Sequence, residues 1–365
     1  MTNHQSQISQ LHHLLESDAS LFALLEQRLQ HAAIANPHYD TNPVRTIEQW
    51  CVYVEHFAHC MPWQAMDVGE DHSFFRRIDQ NIGYFYFLLG DLQYEPRIAQ
   101  WLKEYNIAWG EYLDSPDSWN DTYYRLACAD ERFELTTNRY ESPDNWHSWN
   151  DFFARRLQKP FTFHLSPFTF TSPCDGVIAT DGLVKTATIT NWLDLLGDSP
   201  YREAFADGDT THIILDVFDY HRFHAPCDGT ILDCRIIEGI HAGGGVIIWD
   251  EAQHRYRYDQ CGVTDFQMLE TRGVLVLDTP AFGKIALVPV GVQQVSSIQW
   301  THPALTNDKS QITNHKSQTT NHKLTQGTEL GFFRFGGSDL VLFFEPHRAP
   351  HITPQTVKVG DSLTH

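Results

Sequence analysis

The chain has 365 residues, of which 42% are hydrophobic and 20% charged, a composition typical of a folded globular protein. Its 26 lysines and arginines are outnumbered by 46 aspartates and glutamates, which gives a formal net charge of -20. This charge argues against binding to nucleic acid and against electrostatic attachment to an anionic membrane. The length favours two domains.

The N-terminus and the cysteines indicate the cellular compartment. MTNHQSQISQ lacks the basic and apolar regions of a secretory signal. The longest apolar run, residues 82–90, is less than half of the roughly 20 residues that cross a bilayer. The seven cysteines form no CxxC pair, so neither a disulfide framework nor a zinc site is predicted. We expect a cytoplasmic protein without a transmembrane segment or a bound metal.

The first part of the chain has apolar residues at helical spacing. These stripes consist of Leu21, Leu24, Leu25 and Leu29, and of Ile98, Trp101, Leu102, Tyr105, Trp109 and Tyr112. Such periodicity is typical of amphipathic helices that pack in a core, and it predicts a helical N-terminal domain over residues 1–144. The following stretch, residues 145–160, is predicted to be a hinge whose amphipathic helix ends at Pro160.

From Pro160 onward the pattern changes to short β-branched runs separated by turn signals. The runs are THIILDVF, TILDCRII, GVIIWD, GVLVLD, KIALVPVG, VSSIQW and LVLFFE. They predict a mostly antiparallel β-sandwich or barrel-like domain over residues 145–365, so the expected fold class is α+β. A polar seven-residue repeat, TNDKSQI TNHKSQT TNHKLTQ, predicts a disordered loop at residues 306–326.

A second repeat relates SPCDGVI at residues 172–178 to APCDGTI at residues 225–231. Proline, aspartate and glycine in this order favour a tight turn, and each copy leads into a β-branched run. The pair therefore predicts a pseudo-duplicated β unit. Taken alone, Asp175 is more typical of a structural turn than of a catalytic group.

Three residue types that together activate a hydroxyl group occur in the second part of the chain. Asp175 lies in the first turn, and His221 and His224 lie in DYHRFHAPCDG, just before the second turn. Ser338 lies in GFFRFGGSDLVLFFE, which we interpret as a strand interrupted by Gly336, Gly337, Ser338 and Asp339. An oriented carboxylate, a histidine and a serine are the parts of a nucleophilic site.

Five motifs in order resemble the phosphatidylserine decarboxylase family. They are WNDFFARRL, SPCDGVI, DYHRFHAPCDG, ETRGVLVLDTPAFGKIALVPVG and GTELGFFRFGGSDLVLFF. The resemblance covers about residues 145 to 350. The helical half is similar to the extra domain of the family's soluble branch, which includes a fungal L-tryptophan decarboxylase.

The resemblance implies a role for each candidate residue. Ser338 would attack Gly337 and cleave the chain between them, with His224 as the general base and Asp175 as its orienting carboxylate. Ser338 would then become a pyruvoyl cofactor, and the two cleaved chains would stay associated. The ketone would form a Schiff base with an amine substrate and accept the electrons left by carbon dioxide, with His221 assisting these later steps.

Three functions remain open at this point. The first, and the one that we expect, is decarboxylation of a free aromatic amino acid such as tryptophan. The second is decarboxylation of phosphatidylserine in phospholipid biosynthesis, which alone requires peripheral contact with a membrane. The third is an unprocessed, non-catalytic scaffold, suggested by Asp339, because the family most often has Thr or Ser after the processing serine. The Asp339 carboxylate would act as an extra base or raise the pKa of His224.

Overall fold

The computed structural model describes residues 3–61, 78–159, 168–179, 192–242, 246–259, 266–292, 297–306 and 322–364. The chain divides into two compact units. The first comprises Met1–Trp119 and Ile240–Val263, and the second comprises Asn120–Gly239 and Thr264–His365. Neither unit begins or ends between residues 144 and 145. The domain boundary that the sequence predicts at that point therefore stays a prediction.

The fold class is α+β, as the sequence predicted. The described helices are α1 (Asn3–Ser17), α2 (Ala19–Ala35), α3 (Ile47–Phe57), α4 (Ile82–Leu89), α5 (Pro96–Leu113), α6 (Asp121–Ala129), α7 (Trp149–Phe153) and α8 (Pro303–Thr306). None of the helices in these ranges has the length and apolar content needed to cross a membrane.

The core of the first unit is helical and rich in aromatic residues. Every residue of α4 is buried, and α5 buries most of its predicted stripe. In α2 the buried leucines are Leu21, Leu25 and Leu29, whereas Leu24 is 39% exposed. The buried leucines occupy the i, i+4 and i+8 positions of one helix face, and Leu24 lies beside that face. The prediction that Leu24 packs in the core was therefore wrong.

The first unit also contains a β-hairpin. The run GVIIWD forms a strand as predicted, β5 (Val246–Asp250), which pairs with β6 (Arg255–Asp259). Tyr256 of β6 packs against Tyr84 and Phe87 of α4, with ring centroids 5.6 and 5.1 Å apart. This strand therefore belongs to the helical unit, although the sequence grouped it with the β domain.

The second unit is a two-sheet sandwich. Its strands are β1 (Gly176–Ala179), β2 (Thr210–Leu215), β3 (Arg222–His224), β4 (Gly229–Ile237), β7 (Thr271–Thr279), β8 (Gly283–Val292), β9 (Ile298–Trp300), β10 (Lys323–Leu324), β11 (Glu329–Phe333), β12 (Gly337–Phe344) and β13 (Thr356–Val357). Among the described residues, one sheet has the order β10-β4-β7-β8-β12-β2-β1-β13 and the other β3-β11-β9. Strand pairs in these ranges are antiparallel, and both sheets contribute to one hydrophobic core.

Two predicted segments have different limits in the structure. The polar loop expected at residues 306–326 falls mostly on residues 307–321, which lie outside the described residues, but Lys323–Leu324 form strand β10 against β4. The hinge helix is shorter than predicted and ends at Phe153. Arg155 follows the helix, and its guanidinium donates to the carbonyl oxygens of Phe218 and Asp219.

The interpretation of GFFRFGGSDLVLFFE as one interrupted strand was wrong. β11 ends at Phe333 in the three-stranded sheet, and β12 begins at Gly337 in the eight-stranded sheet. Ser338 and Asp339 are regular members of β12. We call residues 334–336 the crossover, because the chain passes there from one sheet to the other.

Candidate active site

Ser338 lies in the middle of the larger sheet, near the start of β12. It is in register with Leu215 of β2 and Gly291 of β8, and its side chain is buried. Side chains alternate between the two faces of a strand, so Ser338 shares a face with Leu340, which belongs to the core of the sandwich. Its hydroxyl therefore points toward the interior between the sheets.

The chain just before Ser338 is tethered by two hydrogen bonds. The backbone N–H of Phe333 donates to the carbonyl oxygen of His221 at 2.9 Å, and that of Phe335 donates to Asn150 Oδ1 at 3.2 Å. Gly336 then has a φ of 148°, in the region that favours glycine. The scissile bond predicted from the sequence thus follows a crossover whose entry is fixed by these two hydrogen bonds.

His221 contacts the candidate nucleophile. Its Nδ1 lies 3.3 Å from Ser338 Oγ, and its ring stacks on Phe153 of α7 with centroids 3.8 Å apart. The imidazole is completely buried, and Nε2 has no hydrogen-bond partner among the described residues. The ring is positioned against residue 338 by an aromatic neighbour and by its own backbone.

Burial lowers the pKa of His221 to about 3, and the positive charge of the buried Arg155 acts in the same direction. The backbone carbonyl groups of Asp216 and Val217 oppose this shift. The ring is therefore neutral at physiological pH. A neutral imidazole offers one donor and one acceptor to Ser338 and to a ligand.

His224, at the end of β3, is held at both ring nitrogens. Nδ1 donates to the carbonyl oxygen of Gly327 at 2.9 Å, so in the neutral ring Nε2 accepts from the hydroxyl of Tyr220, also at 2.9 Å. Burial lowers the pKa of His224, while the carbonyl of Gly327 opposes the shift. The tautomer of His224 follows from these two contacts.

Asp175 is completely buried at the end of the first turn, next to β1. One oxygen accepts from Arg139 Nη2 at 2.7 Å and from the backbone N–H of Val359 at 2.8 Å. The other accepts from the backbone N–H of Tyr220 at 3.4 Å and lies 3.4 Å from Lys358 Nζ. Two cations and two N–H groups thus compensate the buried charge.

The structure brings the predicted residues together by an unexpected route. The imidazole in contact with Ser338 is that of His221, whereas His224 is engaged with Tyr220 and Gly327. Tyr220 connects Asp175 to His224. Its backbone N–H donates to Asp175, and its hydroxyl contacts His224 Nε2. The roles assigned to His224, Asp175 and His221 from the resemblance stay predictions.

Sequence reasoning missed several residues that support the site. They are Arg139, Phe153, Arg155, Tyr220 and Lys358. Tyr220 lies inside DYHRFHAPCDG, so its position next to two histidines was a usable signal. Arg139 and Lys358 are far from Asp175 in sequence, and no pattern in the chain relates them to it.

A buried hydroxyl beside an imidazole, directly after a glycine-containing crossover, has the parts of a nucleophilic site. Comparison with known proteins identifies the family. Residues 149–365 match the model of the family described as phosphatidylserine decarboxylase. The chain therefore belongs to the phosphatidylserine decarboxylase family, which consists of pyruvoyl-dependent carboxy-lyases.

Three curated relatives illustrate the similarity. Phosphatidylserine decarboxylase proenzyme 3 of Schizosaccharomyces pombe is 30% identical over 230 residues, which cover 59% of this chain and 21% of the relative. The proenzyme of Chlamydia pneumoniae is 29% identical over 59% of this chain and 66% of the relative. The proenzyme of Acidovorax ebreus is 27% identical over 64% of this chain and 83% of the relative. The chain thus spans less than two thirds of the length of the first two relatives.

Proposed function

We propose that this chain is a proenzyme that cleaves itself between Gly337 and Ser338 and then decarboxylates phosphatidylserine. The observation that carries the proposal is the buried Ser338 hydroxyl, 3.3 Å from a neutral His221 and directly after the crossover. Membership of the family supports both the cleavage and the reaction.

Self-cleavage requires two bond exchanges at residue 338. Ser338 Oγ attacks the carbonyl carbon of Gly337, the C–N bond to residue 338 breaks, and an ester forms. Loss of the Cα proton then breaks the Cβ–Oγ bond, which releases Gly337 as a carboxylate and leaves dehydroalanine. Hydrolysis of dehydroalanine releases ammonia and yields the ketone of the pyruvoyl group. The two glycines before Ser338 lower the cost of the distortion that the attack requires.

We assign the proton of Ser338 to His224 rather than to His221. A ring whose pKa is about 3 is a poor acceptor of a proton, so His221 orients the hydroxyl instead. His224 Nε2 already accepts a hydroxyl hydrogen bond from Tyr220, and the carbonyl of Gly327 stabilises the charged ring. For the attack, Tyr220 must yield this nitrogen to Oγ. Asp175 fixes the backbone of Tyr220 and so acts on His224 indirectly.

The residues around position 338 fit a pyruvoyl group, because His221 already lies beside residue 338, whose Cα becomes the ketone carbon. The group supplies an electrophile that takes up the electrons left as carbon dioxide departs. His221, stacked on Phe153, presents Nε2 to the bound substrate. We propose that this neutral ring, with one donor and one acceptor nitrogen, orients the bound substrate in the later steps.

Phosphatidylserine is the proposed substrate because the curated relatives are named for it. A free aromatic amino acid, the substrate first expected from the sequence, is the second candidate. It is favoured by the rings beside the site: Phe153 stacks on His221, and Trp149 and Phe335 meet edge to face at 5.8 Å. The comparisons support the phosphatidylserine reading better.

Release of carbon dioxide separates the candidates. We expect the purified chain to release carbon dioxide from phosphatidylserine in mixed detergent micelles, and Ser338→Ala to release none. Activity on free tryptophan alone would select the second candidate. No activity on either substrate, together with an intact chain, would leave the scaffold as the correct reading.

A further inference from the structure

Asp339 immediately follows the reactive position and points away from it. Successive residues of a strand face opposite sides of the sheet, so Asp339 lies on the outer face when Ser338 faces the core. Its register partners are Ile214 of β2 and Val290 of β8. This geometry does not support the expectation that its carboxylate takes the proton of Ser338.

The Asp339 carboxylate joins β12 to two neighbouring segments. Gln267 Nε2, on the short helix Phe266–Met268, donates to Asp339 Oδ2 at 3.3 Å. His212 Nε2, on β2, lies 3.1 Å from the same oxygen without the alignment of a hydrogen bond. All three side chains are buried, where polar contacts are stronger than in water.

Cleavage changes what holds residue 338 in place. Before cleavage, the backbone fixes this residue through both Gly337 and Asp339. After cleavage it is a chain end, and the covalent restraint comes through Asp339 alone. Any contact that fixes Asp339 therefore matters more for the mature cofactor than for the uncleaved serine.

We propose that Asp339 is a positioning residue for the pyruvoyl group, anchored by Gln267 and His212. The proposal rests on the proposed self-cleavage and adds a role that begins after it. It explains how a carboxylate is accommodated next to the processing serine: the side chain is used on the opposite face of the strand.

The test compares cleavage with turnover in Asp339→Ala and Gln267→Leu, with Asp278→Ala as the matched control. Asp278 is an exposed aspartate on β7 of the same sheet. Cleavage is followed by denaturing mass spectrometry, the ketone is titrated with phenylhydrazine, and kcat is measured with phosphatidylserine micelles or tryptophan, whichever the wild type turns over.

We expect both variants to cleave fully and to bind one phenylhydrazine per small chain, while kcat falls about tenfold or more because the ketone is displaced. Asp339→Asn should recover part of this loss, since its amide oxygen still accepts from Gln267. Unchanged kcat in both variants, or a loss of cleavage that accounts for the loss of turnover, would overturn the proposal. An uncleaved wild type would instead refute the proposed function itself, and this inference with it.

Discussion

His221 and His224 lie three positions apart in sequence and occupy different environments. His221 contacts Ser338 and is neutral, whereas His224 is linked to Asp175 through Tyr220. We expect His224→Gln to block self-cleavage, and His221→Gln to cleave but to lose turnover by about 100-fold, because the substrate is no longer oriented at residue 338. Mass spectrometry and carbon dioxide release measure the two steps. The reverse pattern would exchange the two roles.

Buried His221 should also make the fold sensitive to acid. Its pKa is about 3 in the folded chain against an ordinary value of 6.5, so between these values only the unfolded chain binds the proton. The free energy of unfolding therefore falls as the pH falls, by about 2 kcal/mol from pH 7 to pH 5. Asp219 has the opposite effect on the free energy of unfolding. Burial raises its pKa to about 6, so as the pH falls the folded chain binds this proton before the unfolded chain does.

Thermal unfolding of uncleaved Ser338→Ala protein isolates the contribution of His221. Adding His221→Gln to this variant should reduce the fall in melting temperature between pH 7 and pH 5. The contribution of Asp219 is the same with and without His221→Gln. His351→Gln, which removes an exposed histidine, is the control. Equal losses with and without His221 would show that this ring does not carry the acid sensitivity.

The residues of the site were largely predictable, but their contacts were not. Ser338, Asp175 and the two histidines belong to short motifs that can be read in the sequence. Which histidine contacts Ser338 depends on how β3 and β12, in different sheets, are placed in space. The same is true of Arg139 and Lys358, which reach Asp175 from distant parts of the chain.

Among the elements, the crossover is the feature that sets the proposed cleavage site apart. It connects β11 in one sheet to β12 in the other, and hydrogen bonds to His221 and Asn150 fix its entry. The β runs were predictable because β-branched and aromatic residues favour strands. The distribution of these strands between two sheets was not predictable, because β11 and β12, which flank the crossover, have the same apolar character.

Gly336→Ala tests the crossover. The φ of 148° at this position strains any residue with a Cβ atom, so the substitution should shift the scissile bond relative to Ser338 Oγ. We expect slower self-cleavage, by about tenfold or more, with the sheets intact. The rate of appearance of the small chain measures the effect, and circular dichroism checks the fold. An unchanged rate would mean that the crossover geometry does not limit the attack.

At the scale of the whole molecule, cleavage should leave the two chains associated. Residues 338–365 would retain β12, paired on both sides with β8 and β2, and β13, paired with β1. The inward side chains of β12 remain in the sandwich core. We expect one species in size-exclusion chromatography under native conditions and two chains only in denaturant. Native separation of the chains would contradict this packing.

Denaturing mass spectrometry of the intact protein is the sharpest test of self-cleavage between Gly337 and Ser338. We expect the 42.0 kDa chain to be converted into one chain ending at Gly337 and a small chain of residues 338–365. The small chain should be lighter than the corresponding serine peptide by one ammonia, and Ser338→Ala should remain whole. A wild-type protein that stays as a single 42.0 kDa species would show that the chain does not cleave itself.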